Sequence, residues 1–516
     1  KTPTVVVRVQ SLDGLIADAR YLATLAGREE EAKQAEGFLK QFTGEKGIEG
    51  IDTKRPMGMY GFLTEAIHDS EAVVLLPVAD EQAVLALLKR LNLTPEKDKD
   101  GVYSFQLPKP NIPIYFRFAN KYVYVTARDK DAIEEKRLLA PAVVLPAGEI
   151  GTASATFNLE GVPEDIRKMI LGQVEMRLGN LKEKQEKETK AQHALREKVI
   201  DEVAGTLKSL LDDGGSATVR LAIDQQGNDL SLSLSLAGRP GTTLAKNIQA
   251  LGDTQSAVAG LIGSDSAMSA QATISLPESI RKAMGPAIDE ATTAGLGRAK
   301  DATARELAER YAKAIVPTLK AGMLDVAADL RGPSKDKLYT AVAAVRIKEG
   351  KDLDKAIRAS VEKLPEKEQA RVKLDAESAG DIKIHRLDVG KEFDAKAKQL
   401  LGEKPVYFAV REDALILAMG EEGLDALKEA VNAKARSAPL VQVQMSLARL
   451  AEVIGREQKA APEAARKAFG KDKDGDKVYL TVEGGKALKV RAGMKGAVVR
   501  FFALIDQAEK KKNQDD

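Results

Sequence analysis

The sequence lacks cysteine and tryptophan, and both absences narrow the classes of protein that it can encode. Without cysteine there is no disulfide, no thiolate nucleophile and no cysteine-ligated zinc or iron–sulfur cluster. Aromatic residues make up only 4% of the chain. Carbohydrate sites and single-stranded nucleic-acid platforms depend on stacked rings, so the composition disfavours both kinds of binding.

Charge of one sign and long apolar runs are also scarce. The 79 Lys and Arg residues nearly balance the 77 Asp and Glu residues, which leaves a net charge of +2. Because this balance gives no field that attracts nucleic acid, we predict no nucleic-acid partner. The longest apolar run, at 72–79, is far shorter than the roughly 20 residues that cross a bilayer. The sequence therefore predicts no transmembrane segment.

The clearest pattern that is present is a segment that occurs twice. Residues 113–136 align without gaps on residues 405–428, and the alignment places Phe116 on Phe408. Each segment contains an apolar strand, a short polar turn, a second strand and an acidic stretch. This order predicts a β-hairpin that leads into a helix in both places.

Four further pairs of segments follow one another in the same order. Each pair predicts either a strand that enters a helix or a hairpin that precedes one, and the pairs are 5–20 with 269–284, 72–91 with 339–364, 153–170 with 440–455, and 217–238 with 477–494. Five matched blocks indicate an internal duplication. We predict an α+β fold of two homologous lobes, residues 1–258 and 259–516, with antiparallel sheets that carry helices on one face.

Two long charged segments interrupt this plan. Residues 179–213 and 287–323 carry apolar residues at helical spacing among many charged ones. This pattern predicts long charged helices that lie on the surface or bridge to a partner.

The string Lys-Asp-Lys-Asp-Gly occurs at 97–101 and again at 471–475. In the second copy, the acidic residues from Asp472 onward have the spacing of calcium-loop ligands. However, Lys477 stands where such a loop needs glycine. Both copies place Asp-Gly shortly before a strand, which favours a tight turn over a calcium site.

A search for a reaction centre finds no convergent set of residues. The three histidines, His68, His193 and His385, lie in dissimilar segments without metal-binding spacing, and we interpret His68 with its neighbour Asp69 as a surface pair. The sequence contains neither a phosphate-binding P-loop nor a Gly-x-Ser-x-Gly motif. The glycine-rich stretch 44–61 is interpreted as a connector rather than a ligand loop. We therefore predict no catalytic, cofactor-binding or metal-binding residue.

The modules that open their hairpins with Pro-Ile-Tyr-Phe (113–116) and Pro-Val-Tyr-Phe (405–408) resemble those of uncharacterised bacterial secreted and envelope proteins, which repeat strand–helix units. The resemblance implies an extracytoplasmic location, periplasmic or secreted, and supplies no catalytic residue. The chain begins at Lys1 rather than methionine, and we expect that a signal peptide has been removed.

Together these features predict a non-enzymatic extracytoplasmic protein with a structural or binding role. Its expected partner is an unidentified protein or a second copy of itself. Two alternatives remain open. One is a hydrolase whose site is assembled from dispersed carboxylate or Ser/Lys residues. The other is a carrier of a hydrophobic ligand, which requires an apolar cavity between helices and sheet.

Overall fold

Alternation of apolar and polar residues builds the central strands, as in the Leu-Ser repeat of residues 230–236. The computed structural model describes residues 2–34, 37, 48–107, 111–146, 151–470 and 474–515. Within these ranges all but two of the strands form one large antiparallel sheet that is packed with helices, so the predicted α+β class is confirmed. No helix in the same ranges is long and apolar enough to cross a bilayer.

The first half of the chain contributes ten strands and a set of helices that connect them. The strands are β1 (Val5–Val9), β2 (Met57–Phe62), β3 (Glu71–Pro77), β4 (Glu96–Lys97), β5 (Tyr103–Gln106), β6 (Pro113–Ala119), β7 (Tyr122–Ala127), β8 (Ala153–Asn158), β9 (Gly214–Asp224) and β10 (Asp229–Gly238). The helices are α1 (Leu12–Ala26), α2 (Glu81–Arg90), α3 (Pro141–Val144), α4 (Glu164–Asn180), α5 (Lys190–Asp213) and α6 (Thr243–Ala250).

The second half contributes ten strands to the same sheet and two strands to a small separate one. The strands are β11 (Gln255–Ser256), β12 (Ser266–Ser275), β13 (Met323–Arg331), β14 (Thr340–Arg346), β15 (Val372–Ala379), β16 (Ile382–Leu387), β17 (Val406–Val410), β18 (Ala414–Gly420), β19 (Arg436–Ser437), β20 (Val441–Ser446), β21 (Lys477–Glu483) and β22 (Leu488–Lys495). The helices are α7 (Glu278–Gly297), α8 (Ala302–Ala321), α9 (Gly350–Glu362), α10 (Glu366–Gln369), α11 (Ala395–Leu401), α12 (Gly423–Asn432), α13 (Leu447–Ile454), α14 (Ala461–Phe469) and α15 (Gly496–Asp515).

The two halves pair their strands in the same spatial order. From its outer edge inward, the first half runs β4-β5-β6-β7-β3-β2-β1-β8-β9-β10. The second half runs β15-β16-β17-β18-β14-β13-β12-β20-β21-β22. The halves meet where β10 pairs antiparallel with β22, which makes the sheet continuous. This shared order is what a duplicated chain is expected to give; the duplication itself stays a prediction.

The packing of the second half begins slightly before residue 259. Strand β11 pairs with β19, and the Ser256 hydroxyl donates to the buried Asp325 carboxylate at 2.6 Å. Ala257 and Val258 lie in the hydrophobic core beneath α12. Residues 255–258 therefore pack with the second half, although the predicted boundary assigns them to the first.

Residues opposite one another on neighbouring strands project to the same side of the sheet. The register therefore assigns each strand residue to one of two faces, and the two faces differ in composition. We call the side that carries Val219, Leu234 and Leu480 the apolar face, and the side that carries Ser233 and Arg491 the polar face.

Helices cover the outer strands on both faces, not on one face as predicted. Helices α2 and α9 lie on the apolar face, whereas α12 and the turns that follow β7 lie on the polar face. The reason is that outer strands such as β18 (Ala-Leu-Ile-Leu-Ala-Met-Gly) are apolar on both sides and need cover on both.

Three predicted helices differ from those observed. Residues 179–213 are not one helix, because α4 ends at Asn180 and α5 begins at Lys190. Glu183 and Glu188 lie in the segment between the two helices. Arg196 of α5 donates to the Glu183 carbonyl (2.6 Å) and to the Glu188 carboxylate. Residues 287–323 divide between α7 and α8.

The third difference concerns the first of the two matched hairpins. The expected helix after β7 is replaced by two 3-10 turns, Lys130–Ile133 and Glu135–Arg137. Arg117 donates to the Ile133 carbonyl at 3.1 Å and holds this shape. The aligned position in the second half is Ala409, and there the α-helix α12 forms.

Candidate ligand-binding cavity

A cavity of about 380 Å³ lies between α2 and the apolar face of the first half. Its floor comes from strands β2, β3, β5, β6 and β7, and α2 forms its roof. All of its lining residues are apolar: Leu12, Ile48, Ile51, Met57, Leu76, Pro77, Val84, Leu87, Leu88, Phe105, Ile114, Phe116, Val123 and Val125. A site of this composition offers no hydrogen bond or charge, so it can recognise only hydrocarbon or aromatic surface.

The roof helix α2 is fixed at its first turn. Asp80 is its N-cap, and its Oδ1 atom accepts the backbone N–H groups of Gln82 (2.8 Å) and Ala83 (3.2 Å). The preceding loop closes on the same turn through Gly50, which has a φ of +88°. A Cβ atom at Gly50 would lie 2.5 Å from the backbone nitrogen of Val84, so only glycine allows this approach.

Two of the lining residues on the floor of the cavity, Phe105 and Phe116, belong to a larger cluster of aromatic rings. Tyr103 stacks on Phe116 with ring centroids 5.0 Å apart, and Phe105 and Phe118 meet Phe116 edge-on. These rings come from β5 and β6, where alternation places them on the apolar face. Aromatic pairs of this kind stabilise the pairing of β5 with β6 by more than their buried area alone.

The equivalent place in the second half is filled. Helix α9 roofs strands β16, β17 and β18 as α2 roofs its own strands, and Phe408 stands where Phe116 stands. The cross-strand partner of Phe408 is His385, which corresponds to Tyr103; its ring lies 4.8 Å from the Phe408 ring and is 1% exposed. A buried imidazole therefore occupies the position that a tyrosine ring occupies in the first half.

His385 belongs to a hydrogen-bonded network that joins Asp354 of α9 on one side to Asp375 of β15 on the other. Its Nδ1 atom accepts the backbone N–H of Asp375 at 3.0 Å, so Nε2 carries the proton and donates to Asp354 at 3.2 Å. Arg358 donates to Asp354 at 2.7 Å and to both oxygens of Asp375 at 2.7 and 2.9 Å.

The protonation of this network follows from its burial and its charges. Burial lowers the pKa of His385 below its ordinary value, while the Asp354 carboxylate acts in the opposite direction. Hydrogen bonds from Arg358 hold the pKa of Asp375 below its usual range. Because both ring nitrogens are occupied by neighbours, His385 has no free nitrogen with which to accept a proton from a substrate.

The other two histidines lie elsewhere. His68 is exposed beside Asp69, with 3.4 Å between Nε2 and Oδ1. His193, on α5, lies 3.4 Å from Glu188 and 3.6 Å from Glu197. The three histidines are therefore not brought together. Among the residues that the structure describes, no group of three or more histidine and acidic side chains is arranged to hold a metal ion.

The first Lys-Asp-Lys-Asp-Gly string forms the tight turn that the sequence predicts. Oδ1 of Asp98 accepts the N–H groups of Asp100 and Val102, each at 2.9 Å, and Gly101 has a φ of +80°. The hydrogen bond from Val102 is the main reason why the pKa of Asp98 is lowered. The carboxylate is thus used by the turn that joins β4 to β5.

Most of the second string, including Asp472, lies outside the described residues. Of the acidic residues that follow, Asp476 is buried and accepts the Ser446 hydroxyl and the N–H of Ala448 (3.1 Å) at the start of α13. Glu483 lies on strand β21. Asp476 therefore caps a helix.

Sequence reasoning did not identify the cavity residues. They are ordinary core-type residues from segments that are far apart in the chain, and no spacing rule connects them. The nearest signal is the run Val-Leu-Ala-Leu-Leu at 84–88, which is more apolar than a helix with one buried face requires.

Comparisons with known proteins add little to this picture. No family model and no curated protein matches the chain. Among solved structures, crystal form IV of TP0453 matches with 9% sequence identity and a TM-score of 0.23, over 46% of this chain and 77% of that one. A likeness this slight carries no argument about fold or function.

Proposed function

We propose that this protein is a non-enzymatic binding protein that holds an apolar ligand beneath α2. The observation that carries the proposal is the lining of the cavity, in which every residue is apolar. Its volume of about 380 Å³ falls within the range of roughly 300–1,000 Å³ that is usual for ligand sites. It is more than twice the roughly 150 Å³ that accommodates benzene in an engineered apolar cavity.

The chemistry of the lining limits the class of ligand. A group with a buried charge or amide would lose its hydrogen bonds to water and gain none from this wall. A hydrocarbon chain or an unsubstituted ring system loses nothing and gains about 0.8 kcal/mol for each CH₂ group that it buries. We therefore propose an acyl chain or a comparably apolar group, with any polar end held outside the cavity.

The hydrolase alternative gains no comparable support. In the described part of the chain, no serine hydroxyl is hydrogen-bonded to a lysine or histidine side chain, which is the pairing that activates such a nucleophile. The extracytoplasmic location belongs to the proposal as well, and its support is the sequence resemblance alone.

Titration with a fluorescent apolar dye, 1-N-phenylnaphthylamine, tests the proposal, with palmitate as the competitor. We expect saturable binding at one site that palmitate reverses. The Leu87→Phe substitution extends a ring into the cavity and should weaken binding by about tenfold or more.

The matched control is Leu181→Phe, which makes the same substitution at an exposed leucine outside the cavity. Its affinity for the dye should equal that of the unmodified protein. Equal affinity for Leu87→Phe and the unmodified protein, or dye binding that never saturates, would refute the cavity as the site.

A further inference from the structure

The polar face of the central strands carries a row of arginine and serine side chains. Directly opposite one another on β1, β8, β9, β10 and β22 lie Arg8, Ser154, Arg220, Ser233 and Arg491. Residues in such positions have Cβ atoms about 4.5–5.5 Å apart, so each serine lies between two arginines. The row therefore combines three guanidinium groups with two hydroxyl groups and contains no carboxylate.

The two outer arginines are bonded to other groups of the protein. Arg8 donates to the Val144 carbonyl at 2.7 Å and to the Thr156 hydroxyl at 2.9 Å. Arg491 donates to the Asp229 carboxylate at 2.8 Å. The Arg491 side chain is 46% exposed, so solvent reaches this end of the row.

Arg220, in the middle of the row, is different. Among the described arginines that are not exposed, it alone makes no hydrogen bond, ion pair or ring contact. Its Nε atom is buried and has no acceptor. The backbone closes over this atom at Gly151, where φ is +66° and a Cβ atom would lie 2.8 Å from Nε. Because a guanidinium carries five N–H donors and leaving them unbonded away from water costs free energy, Arg220 holds donors that still need an acceptor.

The serines on either side of Arg220 are unbonded as well. Ser154 is 5% exposed, and its buried hydroxyl has no partner in the part of the chain that the structure describes. Ser233 is half-buried, and its hydroxyl makes no hydrogen bond within the same ranges. Buried hydroxyl groups in proteins are ordinarily bonded. One guanidinium and two hydroxyl groups without acceptors are thus neighbours on one face.

Donors of this kind select a negatively charged acceptor. The planar guanidinium matches two oxygens of a carboxylate or a phosphate, and hydroxyl groups can donate to the same oxygens. A hydrocarbon group or a cation would leave the donors unbonded. Asp229, a buried carboxylate on the same face of β10, is already bonded to Tyr479 and Arg491, each at 2.8 Å. The acceptor must therefore come from outside these strands.

We infer that Arg220, with Ser154 and Ser233 on either side, binds an oxyanion group of a ligand, either a carboxylate or a phosphate. Gly151 covers the Nε atom of Arg220, so the ligand approaches from the side of Ser233 and the exposed Arg491. The site lies on the opposite face of the sheet from the cavity beneath α2, so it does not depend on an apolar ligand.

Isothermal titration calorimetry of the whole chain tests the inference, with inorganic phosphate and acetate titrated separately at an ionic strength held constant by sodium chloride. We expect saturable binding at one site. Stronger binding of phosphate assigns a phosphate-bearing ligand, and stronger binding of acetate assigns a carboxylate-bearing one. Arg220→Gln removes the guanidinium and should weaken binding by about tenfold or more.

The matched control is Lys489→Gln, which removes the same charge from an exposed position on the same face of β22, outside the row. It should change the dissociation constant by less than about twofold, because exposed charges contribute little. Equal weakening by Lys489→Gln and Arg220→Gln would overturn the inference, since that result assigns the binding to general surface charge.

A second variant keeps the test valid if Arg220→Gln folds poorly. Ser154→Ala removes one hydroxyl donor without changing the charge, and it should weaken binding by about three- to tenfold. Affinity unchanged in Ser154→Ala and in Arg220→Gln would overturn the inference. The same holds if neither phosphate nor acetate binds in place of chloride.

Discussion

The two roof helices, α2 and α9, follow equivalent strands yet cover very different interiors. Beneath α2 lies a cavity lined by apolar side chains, and beneath α9 lies the buried His385 with its acidic neighbours. The fifth residue of each helix shows the difference, because it is Leu85 in α2 and Asp354 in α9. The same scaffold thus provides space in one half and a filled polar network in the other.

The two interiors contribute differently to the stability of the fold. A cavity costs stability, because its walls lose the contacts that a filled core makes. A buried and fully bonded network fixes one arrangement of its elements. Helix α9 is also tied to α8 by the ion pair of Lys313 with Asp352, at 2.9 Å. The first half therefore keeps unfilled space beneath its roof helix, whereas the second half fills the same place with hydrogen-bonded side chains.

The largest expected effect comes from removing the cation of the polar network. Arg358→Met leaves the carboxylates of Asp354 and Asp375 facing each other beside the buried histidine. We expect the free energy of unfolding to fall by about 3 kcal/mol, the low end for breaking a buried ion pair, because these groups are partly exposed. Urea denaturation measures the change.

Lys89→Met is the matched control, since Lys89 is the ninth residue of α2 as Arg358 is the ninth of α9. Lys89 is exposed, and its replacement should change stability by less than about 0.5 kcal/mol. Similar losses in the two variants would show that the network does not distinguish the halves.

A smaller effect is expected from enlarging the seventh residue of each roof helix. Ala356 in α9 is fully buried, so Ala356→Leu forces extra volume into a filled site and should cost about 2 kcal/mol. Leu87 in α2 borders the cavity, so Leu87→Phe should change stability by less than about 0.5 kcal/mol. Thermal unfolding monitored by circular dichroism compares them, and an equal loss in both would mean that the cavity is not available space.

Local patterns in the sequence predict the elements of this fold better than they predict its assembly. The strand–helix order of both halves follows from periodicity, and the turn at Asp98 follows from its Asp-Gly sequence. The joining of β10 to β22 does not follow. Edge strands pair through backbone groups that every residue carries, so the side chains do not identify which strand will be the partner.

The candidate site was beyond the reach of sequence patterns for a related reason. A cavity is volume that side chains leave unfilled, and residues such as Val84 and Phe116 look the same whether they fill a core or line a pocket. The network of His385 depends on a helix and two strands that meet only in the fold. Spacing along the chain therefore detects neither of them.

The smallest expected effect is a pH dependence that only the second half provides. The pKa of His385 is lowered in the folded state, so on acidification the unfolded chain binds this proton first. Above the ordinary histidine pKa of about 6.5, this contribution to the free energy of unfolding is fully present. It is lost as the pH falls towards the pKa of His385 in the folded state, at no more than about 1.4 kcal/mol per pH unit. The groups that face the ring are Asp354, Asp375 and Arg358. The lowered pKa of Asp375 affects the free energy of unfolding only at the more acidic pH values where carboxylates titrate.

His385→Gln tests this dependence, because glutamine keeps a donor for Asp354 but does not titrate. Urea denaturation at about pH 7.5 and about pH 5.5 should show a smaller loss of stability for this variant than for the unmodified protein. Equal losses would mean that the buried histidine contributes nothing to the contrast between the two halves.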